Sequence, residues 1–320
     1  HSFSLKNIAA EVVAGYIDRK QNKETERMQN RKLQGIIVPL ITPLATPETI
    51  DRAGTCRMVR RVIEGGVDAV FLLGSTGEGP ALSLHARCEF IETAVEAAAG
   101  AVPLLAGISG ASGVEAIEAG KFAARSGVSA VVAAPPCYLP ASEKELLVYY
   151  ERLAGEIGLP LFLYNMPALT RVNVTPELAV KLAGRENIAG YKDSSGDLDA
   201  FRRAVTLLGG RPDFSLLIGP EHLTLAALRM GGDGGVNGGA NLRPELFAAL
   251  CRAVREGAAP ERIDALQKEI VELGRFYATA PGTPGVIRGL KYELARLGVI
   301  QNQLAFPALP LVDAPWCSGH

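Results

Sequence analysis

The sequence predicts an α/β fold, a closed (β/α)8 TIM barrel with a C-terminal helical extension. Three observations carry that prediction. Short β-branched apolar runs alternate with longer helical patterns from residue 35 onward. The alternation recurs roughly every 25 to 30 residues, the spacing of βα units. Eight such units occupy 35–256 of the 320 residues, close to the roughly 250 residues of a typical barrel. An open doubly wound sheet is the rival arrangement.

The strand candidates are 35–44, 67–74, 102–109, 128–136, 159–167, 187–195, 213–220 and a glycine-broken 233–241. Each is apolar on both faces, as a parallel strand buried on both sides must be. Between them the apolar period becomes helical. Leu84, Cys88, Ile91 and Val95 step by four, three and four, as do Leu146, Tyr150, Leu153 and Ile157. Ser142 with Glu145 has the capping-box spacing, and Thr175 before Pro176 marks another helix start. Beyond the eighth unit, Ile263, Leu266, Ile270 and Leu273, then Ile287, Leu290, Leu294 and Leu297, give two further helices packed on the barrel, within an extension of 257–320.

The first 34 residues form a separate segment. Glu11 interrupts its only apolar patch, so it is not a signal peptide. Ile8, Val12 and Tyr16 at helical spacing leave open a short amphipathic helix, a tail or appended residues. Apolar runs fall short of the roughly 18 to 20 residues that span a bilayer. The five cysteines, 56, 88, 137, 251 and 317, are scattered and never form a CxxC pair, the usage of a reducing compartment. A soluble cytoplasmic protein is expected.

Composition then narrows the chemistry. With 33 Lys and Arg against 34 Asp and Glu the net charge is −1, and no basic stripe invites nucleic acid. Of four histidines, His1 and His320 are the chain's ends, leaving His85 and His222. A three-His zinc centre is excluded within one chain, and a His-based triad has only two possible centres. No metal and no cofactor are expected, so catalysis must rest on other groups.

In a barrel, the residues that act on a ligand project from the C-terminal ends of the strands. Those ends carry GSTGEG (74–79), APPCYLP (134–140), YNMP (164–167), GYKDSSGD (190–197), IGPEH (218–222) and GGDGGVNGGAN (231–241). Lys192 is the most informative. Burial at the inner end of a strand disfavours its charged form and exposes an amine that can attack a ketone. A lone lysine at a strand end more often snorkels to water; the neighbouring motifs alter that balance. Tyr164, one strand away, offers a phenol that can shuttle protons, although a lone Tyr is more commonly a core residue with a satisfied hydroxyl. The glycines of 74–79 let a ligand approach the N–H groups of Ser75 and Thr76. Glycine-rich turns usually exist to supply positive φ, and this one is neither GxGxxG nor a P-loop. The glycine-rich 231–241 has the place of a barrel phosphate site but no Lys or Arg before Arg243.

Together, GSTGE, the Tyr at 138, YNMP and GYKDSSGD at successive strand ends resemble the dihydrodipicolinate synthase and N-acetylneuraminate lyase family over about residues 33 to 300. The resemblance implies pyruvate Schiff-base chemistry without metal or cofactor, and a homotetramer built as a dimer of dimers. Carried over by position, Lys192 forms the Schiff base and Tyr164 is the acid/base. Ser75 relays protons, and Ser75 with Thr76 binds the pyruvate carboxylate through backbone N–H groups. Tyr138 completes the relay in a neighbouring subunit's site, and Val236 lies over the pyruvyl group. Gly219, Glu221 and His222 fall where the aldehyde's tail is held.

Departures from the pattern bear on the substrate. The arginine that in authentic dihydrodipicolinate synthases grips the distal carboxylate, two residues after the YNxP proline, is Leu169 here; Arg171 stands two residues further on. A guanidinium–carboxylate pair is worth about 1.5 to 3 kcal/mol, so its loss favours a hydroxylated 2-oxo acid, of the 2-keto-3-deoxy sugar acid or 4-hydroxy-2-oxo acid type. The alternatives are dihydrodipicolinate synthase itself, N-acetylneuraminate lyase, to whose PALS the PALT run is similar, and a silent oxo-acid-binding regulator.

Overall fold

The computed structural model describes residues 32–278 and 282–312; the expectation of a tail or helix over the first 34 residues falls almost wholly outside them. Eight parallel strands close in the order β1-β10-β9-β8-β7-β6-β5-β4. They are β1 (Gly35–Pro39), β4 (Ala69–Leu72), β5 (Leu104–Gly107), β6 (Ala130–Ala133), β7 (Leu161–Asn165), β8 (Ile188–Asp193), β9 (Ser215–Ile218) and β10 (Gly234–Val236). β2 (Leu44–Thr46) and β3 (Thr49–Ile50) form a small antiparallel hairpin. The barrel alternates with helices, and the open-sheet alternative is excluded.

The two-sided apolarity of the strands has a direct cause. Alternate residues enter different cores. Ile37, Phe71, Leu105, Val132, Phe162 and Leu217 fill the barrel interior, whereas Ile36, Val70, Leu72, Val131, Leu163 and Leu216 face the helix layer. On β8 the inward positions are Gly190, opposite Phe162, and Lys192, opposite Tyr164. A Cβ on Gly190 would stand 2.5 Å from the Phe162 ring, so this glycine makes room for that ring in the barrel interior.

Helix starts follow the predicted chemistry. Ser142 and Glu145 form a reciprocal capping box at Glu143–Ile157, whose Leu146, Tyr150, Leu153 and Ile157 are all buried. Thr175 accepts from the Leu178 N–H ahead of Pro176–Ala183. The helix Leu84–Ala98 differs from expectation, because Phe90, Ile91, Ala94 and Ala98 are buried while Leu84 is exposed. Its small alanines let the helix approach the sheet on a face rotated from the one that the larger residues mark.

All eight strands are shorter than the predicted runs, and at the first and the last the cause is visible. Beyond Pro39 the Leu40 N–H still reaches the Phe71 carbonyl, but the Ile41 N–H turns to a side chain and the chain leaves for the β2–β3 hairpin. After Val236 the chain enters a 3-10 turn, Gly238–Asn241. Asn241 Nδ2 donates to the carbonyls of Pro39 (3.0 Å) and Gly238 (2.8 Å), and Asn241 Oδ1 accepts from the Ile41 N–H at 2.9 Å. Side-chain bonds thus replace the ladder where the barrel closes.

The C-terminal helices Pro260–Gly274 and Thr283–Arg296 pack over the turns that follow β9 and β10. The extension therefore borders the mouth of the barrel. Among the described residues no helix is long and apolar enough to cross a membrane.

Candidate active site

A cavity of about 1020 Å³ opens at the C-terminal ends of the strands. Lys192 lies at its base, only 5% exposed. Its Nζ is 4.9 Å from the Phe71 ring centroid and 3.8 Å from that of Tyr164. Burial pushes the ammonium's pKa down, and Tyr164 partly opposes that shift. Tyr164 Oη lies 3.3 Å from Ser75 Oγ, which makes a hydroxyl chain leading from the lysine towards the loop after β4.

The β7 and β8 ends are locked on their outer side. Asn165 Nδ2 donates to Asp193 Oδ1 at 3.0 Å, and Asn165 Oδ1 accepts from the Val174 N–H at 2.9 Å. Asp193 also accepts from the Ser195 N–H and hydroxyl at 2.9 and 3.1 Å. Its carboxyl is pushed up by burial, against the pull of these donors. The register that sets Tyr164 opposite Lys192 is thereby fixed from behind.

Ser75 and Thr76 line the cavity at its β4 side, and Val236 lines it from β10. Gly219, Glu221 and His222 line it from the turn after β9. A Cβ on Gly219 would come within 2.0 Å of Ser194 Oγ, so that glycine permits close packing of two strand ends. The Glu221 carboxylate accepts from the Gly239 N–H at 2.6 Å and from the Tyr277 hydroxyl. Burial raises its pKa, while these donors and the Gly238 N–H lower it. His222 is exposed at the rim. His85 is exposed on its helix, outside the cavity.

Tyr138 does not line this cavity. It is 92% exposed with φ at 76°, so one chain alone does not bring it to Lys192. Arg171 is exposed, has φ at 60° and likewise does not line the cavity. Leu169 borders two smaller cavities beside Ser75.

The glycines need a different explanation from the expected one. In the loop after β4 the positive φ values fall on Leu73 and Glu78, not on glycine. Gly74 is required because a Cβ would meet the Phe71 ring at 2.6 Å, and Gly79 because it would meet the Leu73 carbonyl at 2.1 Å. Gly234 likewise lies where a Cβ would meet the Gly35 carbonyl at 1.9 Å. Close packing against a ring at Gly74 and against backbone at Gly79 and Gly234 accounts for these positions.

Sequence reasoning missed the residues that the extension adds. Arg275, Tyr277 and Thr283 line the cavity, as do Ser194 and Met166 at the strand ends. Arg275 is exposed and offers a guanidinium at the mouth. Ser194 was legible, since it lies within KDSSGD. Arg275 was not, because strand-end logic does not reach a helix that folds back. Among the described residues no group of three or more His, Cys, Asp or Glu could hold a metal.

A closed barrel with a desolvated amine, a phenol and a hydroxyl at the ends of its strands has the groups of a class I aldolase or lyase. The chain matches the Dihydrodipicolinate synthetase family over residues 32–314 and belongs to that family. It is similar to the dihydrodipicolinate synthase of Bacteroides thetaiotaomicron, with a TM-score of 0.84 and 38% identity, covering 88% of this chain and 95% of that one. It is also similar to Escherichia coli YagE, a prophage protein of the dihydrodipicolinic acid synthase family solved in complex with pyruvate, with a TM-score of 0.83, 31% identity and coverage of 88% and 94%. Escherichia coli YjhH, a probable 2-dehydro-3-deoxy-D-pentonate aldolase, is 32% identical over 286 residues, 89% of this chain and 93% of that protein.

Proposed function

We propose that this family lyase forms a Schiff base between Lys192 and pyruvate, then joins the resulting enamine to a small aldehyde or runs the reverse cleavage. The observation that carries the reading is the convergence of Lys192, Tyr164 and Ser75 on one cavity. The neutral amine adds to C2 of pyruvate. The carbinolamine loses water to give the iminium, and loss of a methyl proton gives the enamine. C3 of the enamine attacks the aldehyde carbon, and hydrolysis of the new iminium frees Lys192. Tyr164 moves the protons of each step, with Ser75 as the next hydroxyl in the chain and Tyr138 of a neighbouring subunit as its completion in a homotetramer. Ser75 and Thr76 hold the pyruvate carboxylate through backbone N–H groups, and Val236 packs over the pyruvyl group.

The favoured substrate is a hydroxylated 2-oxo acid. Leu169 supplies no cation, while Glu221 and His222 present an acceptor and an imidazole to hydroxyl groups along the tail. The likeness to YjhH agrees with this choice. Arg275 supports a second reading, in which the aldehyde carries a distal carboxylate, as in the synthase reaction of lysine biosynthesis.

Borohydride added with pyruvate should leave a covalent adduct on Lys192, seen by peptide mass; a folded protein without an adduct would refute the chemistry. Comparing kcat/KM for a 2-keto-3-deoxy sugar acid with that for aspartate semialdehyde separates the two substrates. If Arg275 grips a carboxylate, Arg275→Met should cost the semialdehyde about tenfold or more, the worth of one charged hydrogen bond, and leave the sugar acid nearly unchanged.

A further inference from the structure

The loop that carries Ser75 and Thr76 is anchored on the side away from the cavity. Glu78, which does not line that cavity, takes a left-handed backbone with φ at 56°, a conformation unfavourable for a residue with a side chain. Its carboxylate points into the extension. Lys291, on the helix Thr283–Arg296, is fully buried and pairs with Glu78 Oε1. The ammonium donates to that oxygen, and the pair is its compensation for burial. Glu78 Oε2 accepts from the Ala305 N–H at 2.9 Å, and Lys291 Nζ donates to the Gln303 carbonyl at 2.7 Å.

A buried ion pair seldom outdoes apolar packing for stability, and apolar packing is available here, since Leu169, Ile287 and Phe306 border the adjoining cavity of about 260 Å³. What the pair adds is direction. The Glu78 N–H donates to the Ser75 carbonyl at 3.1 Å. That carbonyl shares one rigid peptide plane with the Thr76 N–H. Turning Glu78 therefore turns the Thr76 N–H. The rest of the loop is held by Thr42 Oγ1 on the Gly77 carbonyl at 2.6 Å and by the Gly79 N–H on the Gly74 carbonyl at 3.2 Å, which leaves few ways to absorb a shift.

We infer that Glu78 and Lys291 are positioning residues through which the C-terminal extension sets the aim of the Ser75–Thr76 turn, and with it the affinity for the substrate's carboxylate. The inference rests on the reading of that turn as the carboxylate site. The full chain is tested with pyruvate as probe, and the half-saturating concentration for borohydride labelling of Lys192 is measured beside the maximal labelling rate and the Tm. Lys291→Met strands a buried carboxylate and should lower Tm. The double variant Glu78→Gln with Lys291→Met removes both charges and should regain Tm, yet need at least tenfold more pyruvate for half-saturation, with a maximal rate within threefold of the parent. A double variant that regains both Tm and pyruvate affinity would overturn the inference, because the pair would then be merely structural. If either variant fails to fold, Lys291→Arg keeps the charge and moves its position; raised half-saturation supports the inference and an unchanged value overturns it. A parent protein that pyruvate and borohydride never label refutes the Schiff-base reading instead.

Discussion

Lys192 Nζ lies 3.8 Å from the ring centroid of Tyr164, its partner in the parallel register of β7 and β8. The contact puts the buried amine over a π face. Two effects then compete. The ring favours the ammonium, and burial disfavours it; burial is the larger, so the pKa is lowered.

The first prediction concerns pH. Because the folded protein holds less proton on Lys192 than a free lysine would, the reactive amine is present at lower pH. The rate of borohydride labelling at low pyruvate should rise with pH along a limb whose midpoint lies below the ordinary lysine value of 10.5. The sign for stability is the same: between the two pKa values the unfolded chain binds more protons, so this group's contribution favours folding as pH rises. A limb centred at the ordinary value would show that Lys192 is not desolvated.

Tyr164→Phe keeps the ring against Lys192 and removes only the hydroxyl, 3.3 Å from Ser75 Oγ. General acid–base groups contribute about 10² to 10⁴ in rate. Exchange of the pyruvate methyl protons with D2O, followed by NMR, should slow by at least about 10²-fold. Ser75→Ala leaves the phenol in place and should slow it less. Equal exchange in Tyr164→Phe and the parent would remove the phenol from the proton path.

The fold was legible because its two cores demand apolar residues at consecutive strand positions, and Ile36 beside Ile37 or Phe71 beside Leu72 is the direct imprint of that demand. Most of the candidate site was legible for a related reason: strand ends point at the mouth, so YNMP and GYKDSSGD announced Tyr164 and Lys192. What could not be read was set by long-range closure. Glu78 and Lys291 are 213 positions apart and neither lies in a pattern that marks the other. Arg275 reaches the cavity only because a helix after the eighth unit folds back over the barrel. The positive φ at Leu73 and Glu78 also escaped, since local propensity assigns such angles to glycine and tertiary packing overrode it.

Gly79→Ala tests the packing account of the loop. A Cβ there would meet the Leu73 carbonyl oxygen at 2.1 Å and its carbon at 2.8 Å, and a backbone carbonyl is no flexible end that could yield. The variant should lose roughly 1 to 3 kcal/mol, the usual cost of overpacking a buried position, read as a fall in denaturation midpoint at unchanged m-value. Pyruvate affinity should fall with it, since Gly79 closes the turn through the Gly74 carbonyl. Full stability in Gly79→Ala would show that the loop has slack.

Glu221 provides a prediction with the opposite pH sign from Lys192. Burial raises its pKa above the ordinary 4.5, and this effect exceeds the lowering by the Tyr277 hydroxyl and the Gly239 N–H. A carboxyl with a raised folded-state pKa binds its proton more tightly when folded. Its favourable contribution is complete below the unfolded-state value and is lost as pH climbs through the folded one. At neutral pH the folded protein therefore holds a carboxylate it would rather protonate. Glu221→Gln removes that charge while keeping an oxygen that can accept from Tyr277 or from the Gly239 N–H. The Tm of Glu221→Gln minus that of the parent should become more positive between pH 4 and pH 7. Tyr277→Phe removes a donor from the carboxylate and should widen the same gap when placed in the parent. A difference that is flat or falls with pH would mean that the carboxylate is better satisfied than its burial implies, and that Glu221 meets the substrate's hydroxyls as a fully ionised acceptor.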